Sequence, residues 1–348
     1  MKKINLGVVG LDHWYYAYPL VELCKDNENV NLIAVSHDDE KRVKEFAKQH
    51  NIKKYYMDHI ELINDREIDA IIVTSYTASH YKICLEAATR KKHILCNKPM
   101  ALNAKGAREI ENAVNKNRVR FMMCHDYRYT PCYVVAKKYI DEGTIGNLRA
   151  AVWTVRVGVP QGTPYTNGPG WYVQKAKSGG GGFIDHASHT ADLLLWYFGN
   201  NGNKVKRVYA EVENLIHKQW DVEDYGIGII KFEDGALVTV ESTFTGNERS
   251  GYNESLQIIG SEGDIYISRN EKPPVRIIGN VNSIRDRVGI DVPMLSWTEG
   301  IKTILNTFVD CVIKDRKTPI GAEDGRRVLE VMDAAYKSAK EKKPVFLE

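Results

Sequence analysis

Residues 4–19, INLGVVGLDHWYYAYP, decide which fold the first third of the chain adopts. The apolar run through Val9 predicts a buried strand, and Gly10 provides a tight turn into a helix. In the dinucleotide fingerprint G-x-G-x-x-G, such a turn brings backbone N–H groups of the helix against a pyrophosphate. Asp12 and Tyr15 stand where the second and third glycines would be. The stretch alone leaves two alternatives open, a modified cofactor loop or a structural turn.

The polar and proline residues of this loop carry their own expectations. A carboxylate close to a pyrophosphate is repelled unless it faces away, so we expect Asp12 to face away or to cap the helix. Pro19 is expected to kink a helix that begins near Asp12. As a cofactor loop, the stretch would bind nucleotide through Gly10, Leu11, Asp12, His13 and Trp14.

Strand-like and helix-like segments alternate from this loop to about residue 125. The predicted strands are 4–9, 31–36, 70–75, 93–97 and 120–124, and the predicted helices are 41–50, 79–90 and 104–117. Apolar strands separated by amphipathic helices indicate a parallel sheet that is covered on both faces. The sequence therefore predicts an N-terminal Rossmann domain, a doubly wound parallel sheet over residues 1–125, with ligands at the carboxyl ends of its strands.

The pattern changes over residues 126–348, where we expect a second, α/β domain. The predicted elements are a helix at 131–142, a strand at 149–158, a Gly/Pro/Tyr-rich loop at 158–182, a helix at 183–198, strands over 205–278, and helices at 296–314 and 322–342. Turn signals at 232–235 and 260–263 favour antiparallel pairing. We expect a large, mostly antiparallel open sheet for substrate binding and oligomerisation, with the C-terminal helix packing back on the first domain.

The second strand ends in three polar residues, Ser36, His37 and Asp38. Ser36 and His37 could receive a ribose 2′-phosphate, whereas Asp38 could receive a 2′-hydroxyl. NAD and NADP both remain open as cofactors. The plain alternative is a surface turn in which Asp39 caps the next helix.

The fifth strand runs into Asn97-Lys98-Pro99. A lysine at the carboxyl end of a parallel strand lies on the ligand side of the sheet. There Lys98 can orient a substrate hydroxyl or carbonyl and balance the charge that develops during hydride transfer. The alternative is a solvated lysine at a strand end.

A glycine run at 179–182 leads into a helix that carries Asp185, His189 and Asp192 at i, i+4 and i+7, on one helix face. Histidine titrates near neutral pH, so His189 can exchange a proton with a substrate hydroxyl, and Asp185, one turn away, can hold it in place. His186 and His189 are also spaced like a metal-binding pair, but no H-E-x-x-H pattern accompanies them. We predict no metal, with internal hydrogen bonding of a polar helix end as the plain alternative.

Composition excludes several classes of protein. The 348 residues carry a net charge of only +3, with Lys and Arg spread along the chain, which argues against nucleic-acid binding. No apolar run approaches the length of about 20 residues that spans a bilayer, and the N-terminus does not read as a secretory signal. Six scattered cysteines without a C-x-x-C pair are typical of reduced thiols. We expect a cytoplasmic protein without a membrane partner.

Taken in order, these motifs resemble the Gfo/Idh/MocA family of NAD(P)-dependent oxidoreductases, over essentially the whole chain. Asn97-Lys98-Pro99 occupies the place of the family's Glu-Lys-Pro motif, and residues 180–192 follow its glycine-rich D-x-x-x-H-x-x-D segment. Thr74-Ser75 with His80 resembles the Thr-Pro…His segment after the fourth strand. Arg128 resembles the arginine after the sixth strand.

The resemblance implies hydride transfer between nicotinamide and a carbon of a sugar, inositol or related polyol. It implies Lys98, Asp185 and His189 as catalytic residues, which with Arg128 and Trp171 would also contact substrate; Tyr165 and Tyr172 are weaker candidates. It adds Thr74, Ser75, His80, Asn97, Lys98 and Arg128 to the cofactor site and implies a homodimer or homotetramer formed through the C-terminal sheet. Asp12, Tyr15 and Asn97 depart from the family pattern. They motivate an alternative, a ligand-sensing or regulatory protein that does not catalyse; a metal-dependent lyase or isomerase is a third hypothesis.

Overall fold

Short β-branched runs near the N-terminus form a six-stranded parallel sheet in the order β3-β2-β1-β4-β5-β6. The computed structural model describes residues 3–160, 168–199, 202–246, 252–281, 284–292 and 297–347. The strands are β1 (Ile4–Val9), β2 (Val30–Ser36), β3 (Lys54–Tyr56), β4 (Ala70–Val73), β5 (His93–Cys96) and β6 (Phe121–Met123). The helices among them are α1 (Trp14–Lys25), α2 (Glu40–Gln49), α3 (His59–Asn64), α4 (Thr77–Thr89) and α5 (Ala104–Asn117).

The sheet is buried on both faces, which explains why its central strands read as continuous apolar runs. Leu6 and Val8 of β1 pack into one hydrophobic core, whereas Val9 packs into the other. The predicted Rossmann sheet is confirmed. The sequence reading missed β3 and α3, because Lys54–Tyr56 is a short, partly exposed edge strand and α3 has only 6 residues.

The strand order changes direction between β1 and β4, which both leave the sheet at the same edge. In such sheets ligands bind in a crevice outside the carboxyl ends of the strands, at the point where the strand order reverses. Gly10 follows β1, and Thr74 and Ser75 follow β4. The topology therefore places two of the predicted cofactor segments side by side.

The second half of the chain forms a nine-stranded sheet in the order β14-β13-β12-β11-β7-β10-β9-β8-β15. Its strands are β7 (Leu148–Arg156), β8 (Val205–Glu213), β9 (Tyr225–Phe232), β10 (Leu237–Thr243), β11 (Asn253–Gly260), β12 (Asp264–Ser268), β13 (Val275–Val281), β14 (Ile284–Ile290) and β15 (Val345–Phe346). β7 and β10 pair in parallel and the other neighbours are antiparallel. The predicted large, mostly antiparallel sheet is confirmed.

The remaining helices are α6 (Pro131–Asp141), α7 (Lys175–Ser178), α8 (Gly182–Phe198), α9 (Trp297–Ile313) and α10 (Ala322–Glu341). α8 and α10 lie against the second sheet, through contacts with β10 and β8 respectively. α9 instead buries Ile304, Leu305 and Phe308 in the core that contains Leu6 and Val8 of β1. No described helix has both the length and the apolar character required to cross a membrane.

Candidate active site

The turn after β1 is built around Gly10, whose φ of +84° is rarely adopted by L side chains. A Cβ at this position would overlap the backbone of Ser75. The Thr74 hydroxyl donates to the Gly10 carbonyl at 2.7 Å, and the Thr74 carbonyl accepts from the His13 N–H at 2.9 Å. The loops after β1 and β4 therefore contact each other closely, and only glycine fits at their junction.

The backbone of this loop keeps the donors that a pyrophosphate requires. α1 begins at Trp14 and continues past Pro19 to Lys25, with its N-terminus facing the crevice side of the sheet. In the described part of the chain, the N–H groups of Leu11, Asp12, Trp14 and Tyr15 donate to no protein acceptor. Unpaired N–H groups at a helix N-terminus form an anion site, so the residues present fit a dinucleotide.

Asp12 does not cap α1, contrary to one of the two expectations. His13 is the N-cap residue, and no side chain caps the helix. The Asp12 carboxylate lies 3.6 Å from His37 Nε2. Burial alone would raise the pKa of Asp12, but the hydrogen bond and charge of His37, together with Arg42, lower it. The carboxylate therefore turns toward the end of β2, where its charge is balanced.

The three polar residues at the end of β2 differ in exposure. Ser36 is buried and its hydroxyl lies 3.0 Å from His59 Nδ1, while His37 is buried between Asp12 and the Arg42 guanidinium. The Asp38 side chain is 75% exposed. Asp39 caps α2 by accepting from the Arg42 N–H at 2.9 Å. Asp38 is thus the most accessible of the three to a ribose.

His80 lies beneath the cofactor loop and is fully buried. Its ring nitrogens lie 2.8 Å from the carbonyls of Ser75 and Pro99. Burial lowers the pKa of His80, so the ring is neutral and donates to one of these carbonyls. It connects the loop after β4 to the Asn97-Lys98-Pro99 segment; direct contact of His80 with cofactor stays a prediction.

Asn97 joins the cofactor loop to the lysine. Its Oδ1 accepts from the Lys98 N–H at 2.8 Å, so its amide nitrogen faces His13 Nδ1, with which it is in contact. Burial, and then the charge of Lys98, lower the pKa of His13 well below the usual histidine value. His13 is therefore neutral, and a neutral amide suits this position because it donates to the unprotonated ring nitrogen.

Lys98 and Asp185 form a buried ion pair. Lys98 Nζ lies 2.6 Å from Asp185 Oδ1 and donates to the Asp185 carbonyl at 2.8 Å. Burial would raise the pKa of Asp185, but the charge of Lys98, then that of His186 and the hydrogen bond from Lys98, lower it to about 2. The carboxylate is ionised near neutral pH and faces an ammonium group.

The carboxylate that contacts His189 is Asp126, not Asp185 as expected from helix spacing. Asp126 Oδ1 lies 3.3 Å from His189 Nδ1, whereas Asp185 Oδ2 lies 3.3 Å from His186 Nδ1. Tyr127 stacks on the His189 ring with centroids 4.7 Å apart. The helical spacing correctly placed Asp185 on the same face of α8 as His189. The Asp185 carboxylate, however, forms an ion pair with Lys98.

These side chains surround a cavity of about 510 Å³. Its polar lining comes from segments of both halves of the chain. The polar residues are His13, Lys98, Asp126, Asp185, His186, His189, Arg269 and Asn270. Its aromatic lining consists of Tyr15, Tyr16, Tyr127, Tyr252 and Trp297. Sequence reasoning missed Asp126 and the aromatic wall. Asp126 could have been found by the signal that identified Lys98, since it follows the end of a parallel strand.

Arg128 does not line this cavity, and its contact with substrate or cofactor stays a prediction. Its guanidinium donates to both Asp192 oxygens, at 2.6 and 2.8 Å, and to Asp324 at 2.9 Å. Burial would lower the pKa of Arg128, but these two carboxylates raise it. The residue lines a separate surface pocket with Trp196. We therefore assign Arg128 to the junction of α8 and α10.

Trp171 covers the cofactor loop and does not line the cavity. Its indole N–H donates to the Asp12 carbonyl at 3.1 Å, and its ring stacks on Tyr172 at 4.0 Å. Tyr172 in turn stacks on Tyr15 at 5.9 Å. Tyr165 lies outside the described residues. Within the described ranges, no three His, Cys, Asp or Glu side chains are arranged to hold a metal ion.

The fold and the site together define a dinucleotide-binding oxidoreductase. The model of the oxidoreductase family with an NAD-binding Rossmann fold matches residues 4–125, and the GFO/IDH/MocA C-terminal domain matches residues 133–266. The chain belongs to the Gfo/Idh/MocA family. The expected family and the expected nicotinamide-dependent oxidoreductase class are confirmed.

The matches extend over nearly the full length of several relatives. Myo-inositol 2-dehydrogenase of Thermotoga maritima is 26% identical over 99% of this chain and 97% of its own. The scyllo-inositol 2-dehydrogenase (NAD(+)) of Bacillus subtilis is 27% identical over the same two shares. A levoglucosan dehydrogenase solved in complex with NADH and L-sorbose has a TM-score of 0.87, with 22% identity and full coverage of both chains. At that identity the structural match supports the fold.

Proposed function

We propose that the protein transfers a hydride between the nicotinamide of NAD and a hydroxyl-bearing carbon of an inositol, sugar or related polyol. The observation that carries this proposal is the arrangement of Lys98, Asp185 and His189 in one cavity beside the cofactor loop. Gly10 and the free N–H groups at the start of α1 would hold the pyrophosphate. The bound nicotinamide supplies the hydride acceptor or donor.

The protonation states of the site assign the proton chemistry. Lys98 faces an ionised Asp185 at 2.6 Å, so it is an ammonium that orients the substrate oxygen and balances its developing negative charge. Burial, and then the charge of Lys98, lower the pKa of His189 well below the usual value. A neutral His189 can accept the hydroxyl proton, whereas an ammonium cannot. We assign His189 as the general base of alcohol oxidation.

The cavity chemistry favours a polyhydroxylated substrate. Its volume lies within the range of about 300–1,000 Å³ typical of small-molecule sites. The wall of five aromatic rings suits the apolar face of a sugar or cyclitol ring, and the charged groups opposite it suit hydroxyls. The relatives named above act on inositols, which are molecules of this class.

The end of β2 favours NAD over NADP. The Asp12 and Asp38 carboxylates flank His37, and Asp38 is the accessible one. A carboxylate accepts hydrogen bonds from a ribose 2′-hydroxyl but repels a 2′-phosphate. Arg42 does not offset this, because it is buried and donates to the Leu11 carbonyl and toward His37.

The open face of the second sheet fits a homodimer or homotetramer. Val152, Leu237 and Ile229 are 44–45% exposed on the adjacent strands β7, β10 and β9, and Ile278 is 40% exposed on β13 of the same sheet. An exposed apolar face of this kind marks an interaction surface. A Val152→Lys variant is expected to lower the molar mass measured by light scattering, whereas an unchanged mass would contradict assembly through this face. We also propose a reducing, cytoplasmic location, since all six cysteines are buried thiols.

Calorimetric titration with NAD⁺ and NADP⁺, followed by turnover of myo-inositol, scyllo-inositol and hexoses, tests the function. We expect tighter binding of NAD⁺ and reduction of the cofactor by at least one of these polyols. Absence of binding to both nucleotides would refute the proposal. Tight binding of nucleotide and polyol without turnover would favour the alternative of a ligand-sensing protein that does not catalyse. That alternative rests on Asp12, Tyr15 and Asn97, which depart from the family pattern.

A further inference from the structure

Asp126 is a buried carboxylate with several donors around it. It lies directly after His125, near the end of β6, and is 4% exposed. Its Oδ1 accepts from the Tyr16 hydroxyl at 3.2 Å, and its Oδ2 accepts from the Trp297 indole N–H at 3.0 Å. His189 Nδ1 approaches Oδ1 at 3.3 Å. The Tyr16 hydroxyl and the Trp297 indole N–H stay neutral. His189 is therefore the one of these three neighbours that can change its charge next to Asp126.

The contact decides which nitrogen of His189 carries a proton. A neutral imidazole has one N–H and one free lone pair, and an ionised carboxylate can only accept. An ionised Asp126 therefore favours the tautomer in which Nδ1, which faces it, holds the proton. Nε2 is left with its lone pair, as a base in the cavity requires. The reverse tautomer would bring two acceptors together and leave no base toward substrate.

The ring has little freedom to leave this orientation. Tyr127 lies against one face with an interplanar angle of 19°, and His125 meets the ring edge to face at 6.1 Å. The Tyr127 hydroxyl is itself in contact with the Tyr252 hydroxyl. At 3.3 Å from Asp126 Oδ1, His189 Nδ1 makes no hydrogen bond in this structure. Catalytic hydrogen bonds are often long or poorly aligned before substrate binds and tighten in the complex.

We propose that Asp126 is the positioning residue of His189, fixing its tautomer and raising its basicity, in the role that helix spacing assigns to Asp185. This inference rests on the proposed function, in which His189 is the general base. Asp185 is unavailable for the role because its carboxylate is paired with Lys98 and His186. During oxidation the proton of the substrate hydroxyl moves to Nε2, and the carbon that bears this hydroxyl transfers a hydride to NAD⁺. Asp126 then faces the resulting imidazolium.

Several charged or titratable groups face this pair. Burial is the largest influence on His189 and lowers its pKa. Lys98 after β5, His125 after β6, His186 on α8 and His13 before α1 each lower its pKa. Burial raises the pKa of Asp126, whereas the charges of Lys98 and Arg269 and the hydrogen bond from Tyr16 on α1 lower it. Asp126, whose Oδ1 lies 3.3 Å from His189 Nδ1, is the carboxylate that we infer to oppose these four basic neighbours.

The first experiment reads the tautomer without turnover. The protein is labelled with ¹⁵N-histidine, the His189 signals are assigned by their loss in a His189→Gln variant, and long-range ¹H–¹⁵N spectra are recorded over a range of pH. We expect the Nδ1–H tautomer in the wild type. In Asp126→Asn we expect a mixture of tautomers and a His189 pKa lower by about 1–3 units, since an opposite charge at this distance raises the pKa of a histidine by that amount. The Nε2–H tautomer in the wild type, or an unchanged pKa in the variant, would overturn the proposal.

The second experiment is the pH profile of polyol oxidation. Asp126→Asn is expected to lower kcat about 10²-fold, at the low end of general-base effects, with little change in KM. The acid limb should move to lower pH, because removing a negative charge makes the imidazolium easier to deprotonate. A purely structural role would lower the plateau without moving the limb. If the wild type shows no turnover, the proposed function fails while the tautomer still decides the role of Asp126.

Asp224→Asn is the matched control. Asp224 is also fully buried, but it accepts from the N–H groups of Leu215, Ile216 and His217, outside the cavity. This variant is expected to lose stability and to keep the tautomer and pKa of His189. Should Asp126→Asn fail to fold, the wild-type tautomer alone still supports or overturns the proposal.

Discussion

The cofactor loop and the helix α8 reach their geometry by opposite routes. The loop departs from the glycine fingerprint at Asp12 and Tyr15, yet its backbone keeps the turn at Gly10 and the free N–H groups at the start of α1. α8 follows the expected D-x-x-x-H pattern, yet its Asp185 and His189 contact residues from distant parts of the chain. A site formed by backbone tolerates changes of side chain. A site formed by side chains depends on partners that spacing along one helix does not reveal.

The largest effect is expected from removing the positive charge of Lys98 from the site that it forms with Asp185 and His189. Lys98→Met should lower kcat by about 10³–10⁴-fold, because the substrate oxygen loses its charged partner. The variant also leaves Asp185 buried without its cation, which costs about 3–5 kcal/mol of stability. The measurement is steady-state turnover together with the free energy of unfolding.

A double variant separates these two effects. Lys98→Met with Asp185→Asn removes both charges, so it should recover most of the free energy of unfolding while turnover stays lost. Recovery of turnover in the double variant would contradict the role of Lys98.

The cofactor loop, whose geometry depends on its backbone, should be disrupted by a substitution at Gly10. Gly10→Ala places a Cβ against Ser75 and forces alanine into a left-handed conformation. We expect a loss of stability of about 2–4 kcal/mol and a fall in NAD⁺ affinity of about 10²-fold, measured by denaturation and calorimetry.

Gly143→Ala provides the comparison. Gly143 has a similar φ of +74°, but no described atom lies within 4 Å of its added Cβ. It should cost only the strain of about 1–2 kcal/mol and leave NAD⁺ affinity intact. Equal losses of affinity in the two variants would show that the junction with Ser75 is not what holds the loop.

The pH dependence of oxidation tests the protonation state of His189. Its pKa is lowered well below 6.5, first by burial and then by Lys98. The neutral base is present above that pKa and is lost as the pH falls through it. The acid limb of kcat should therefore lie clearly below pH 6.5. A limb at or above pH 6.5 would mean that another group titrates or that His189 is not the base.

The smallest effect is expected from changing Asp12, which stands at the place of the second glycine of the dinucleotide fingerprint. Asp12→Asn keeps the size of a side chain that faces His37, away from the free N–H groups. We expect NAD⁺ affinity to change by less than about 3-fold, which corresponds to less than about 1 kcal/mol, because the Asp12 carboxylate faces His37. NADP⁺ affinity should rise within the same range, since one carboxylate near the ribose is removed. A large loss of NAD⁺ affinity would assign Asp12 to the cofactor directly.

The sequence predicted most of the fold because apolar periodicity determines buried strands and helices, as in β1, β5 and α8. It missed β3 and α3, which are short and carry little apolar signal. Strand ends and one helix face are local features, so the sequence placed Lys98 on the ligand side of the sheet and Asp185 and His189 on one face of a helix. That the three residues share a site was implied by the family resemblance. It misassigned the carboxylate that contacts His189, and it did not predict that Arg128 pairs with Asp192 and Asp324. Those contacts depend on how β6, α8 and α10 pack, which no local pattern encodes.

The most direct test of the central claim follows the hydride itself. The protein is incubated with NAD⁺ and inositol deuterated at its ring carbons, and the nicotinamide is then analysed by mass spectrometry and NMR. The account predicts one deuterium at C4 of the nicotinamide per turnover, on a single face, and none with Lys98→Met. Nicotinamide without deuterium, from a wild-type protein that binds both NAD⁺ and inositol, would contradict it.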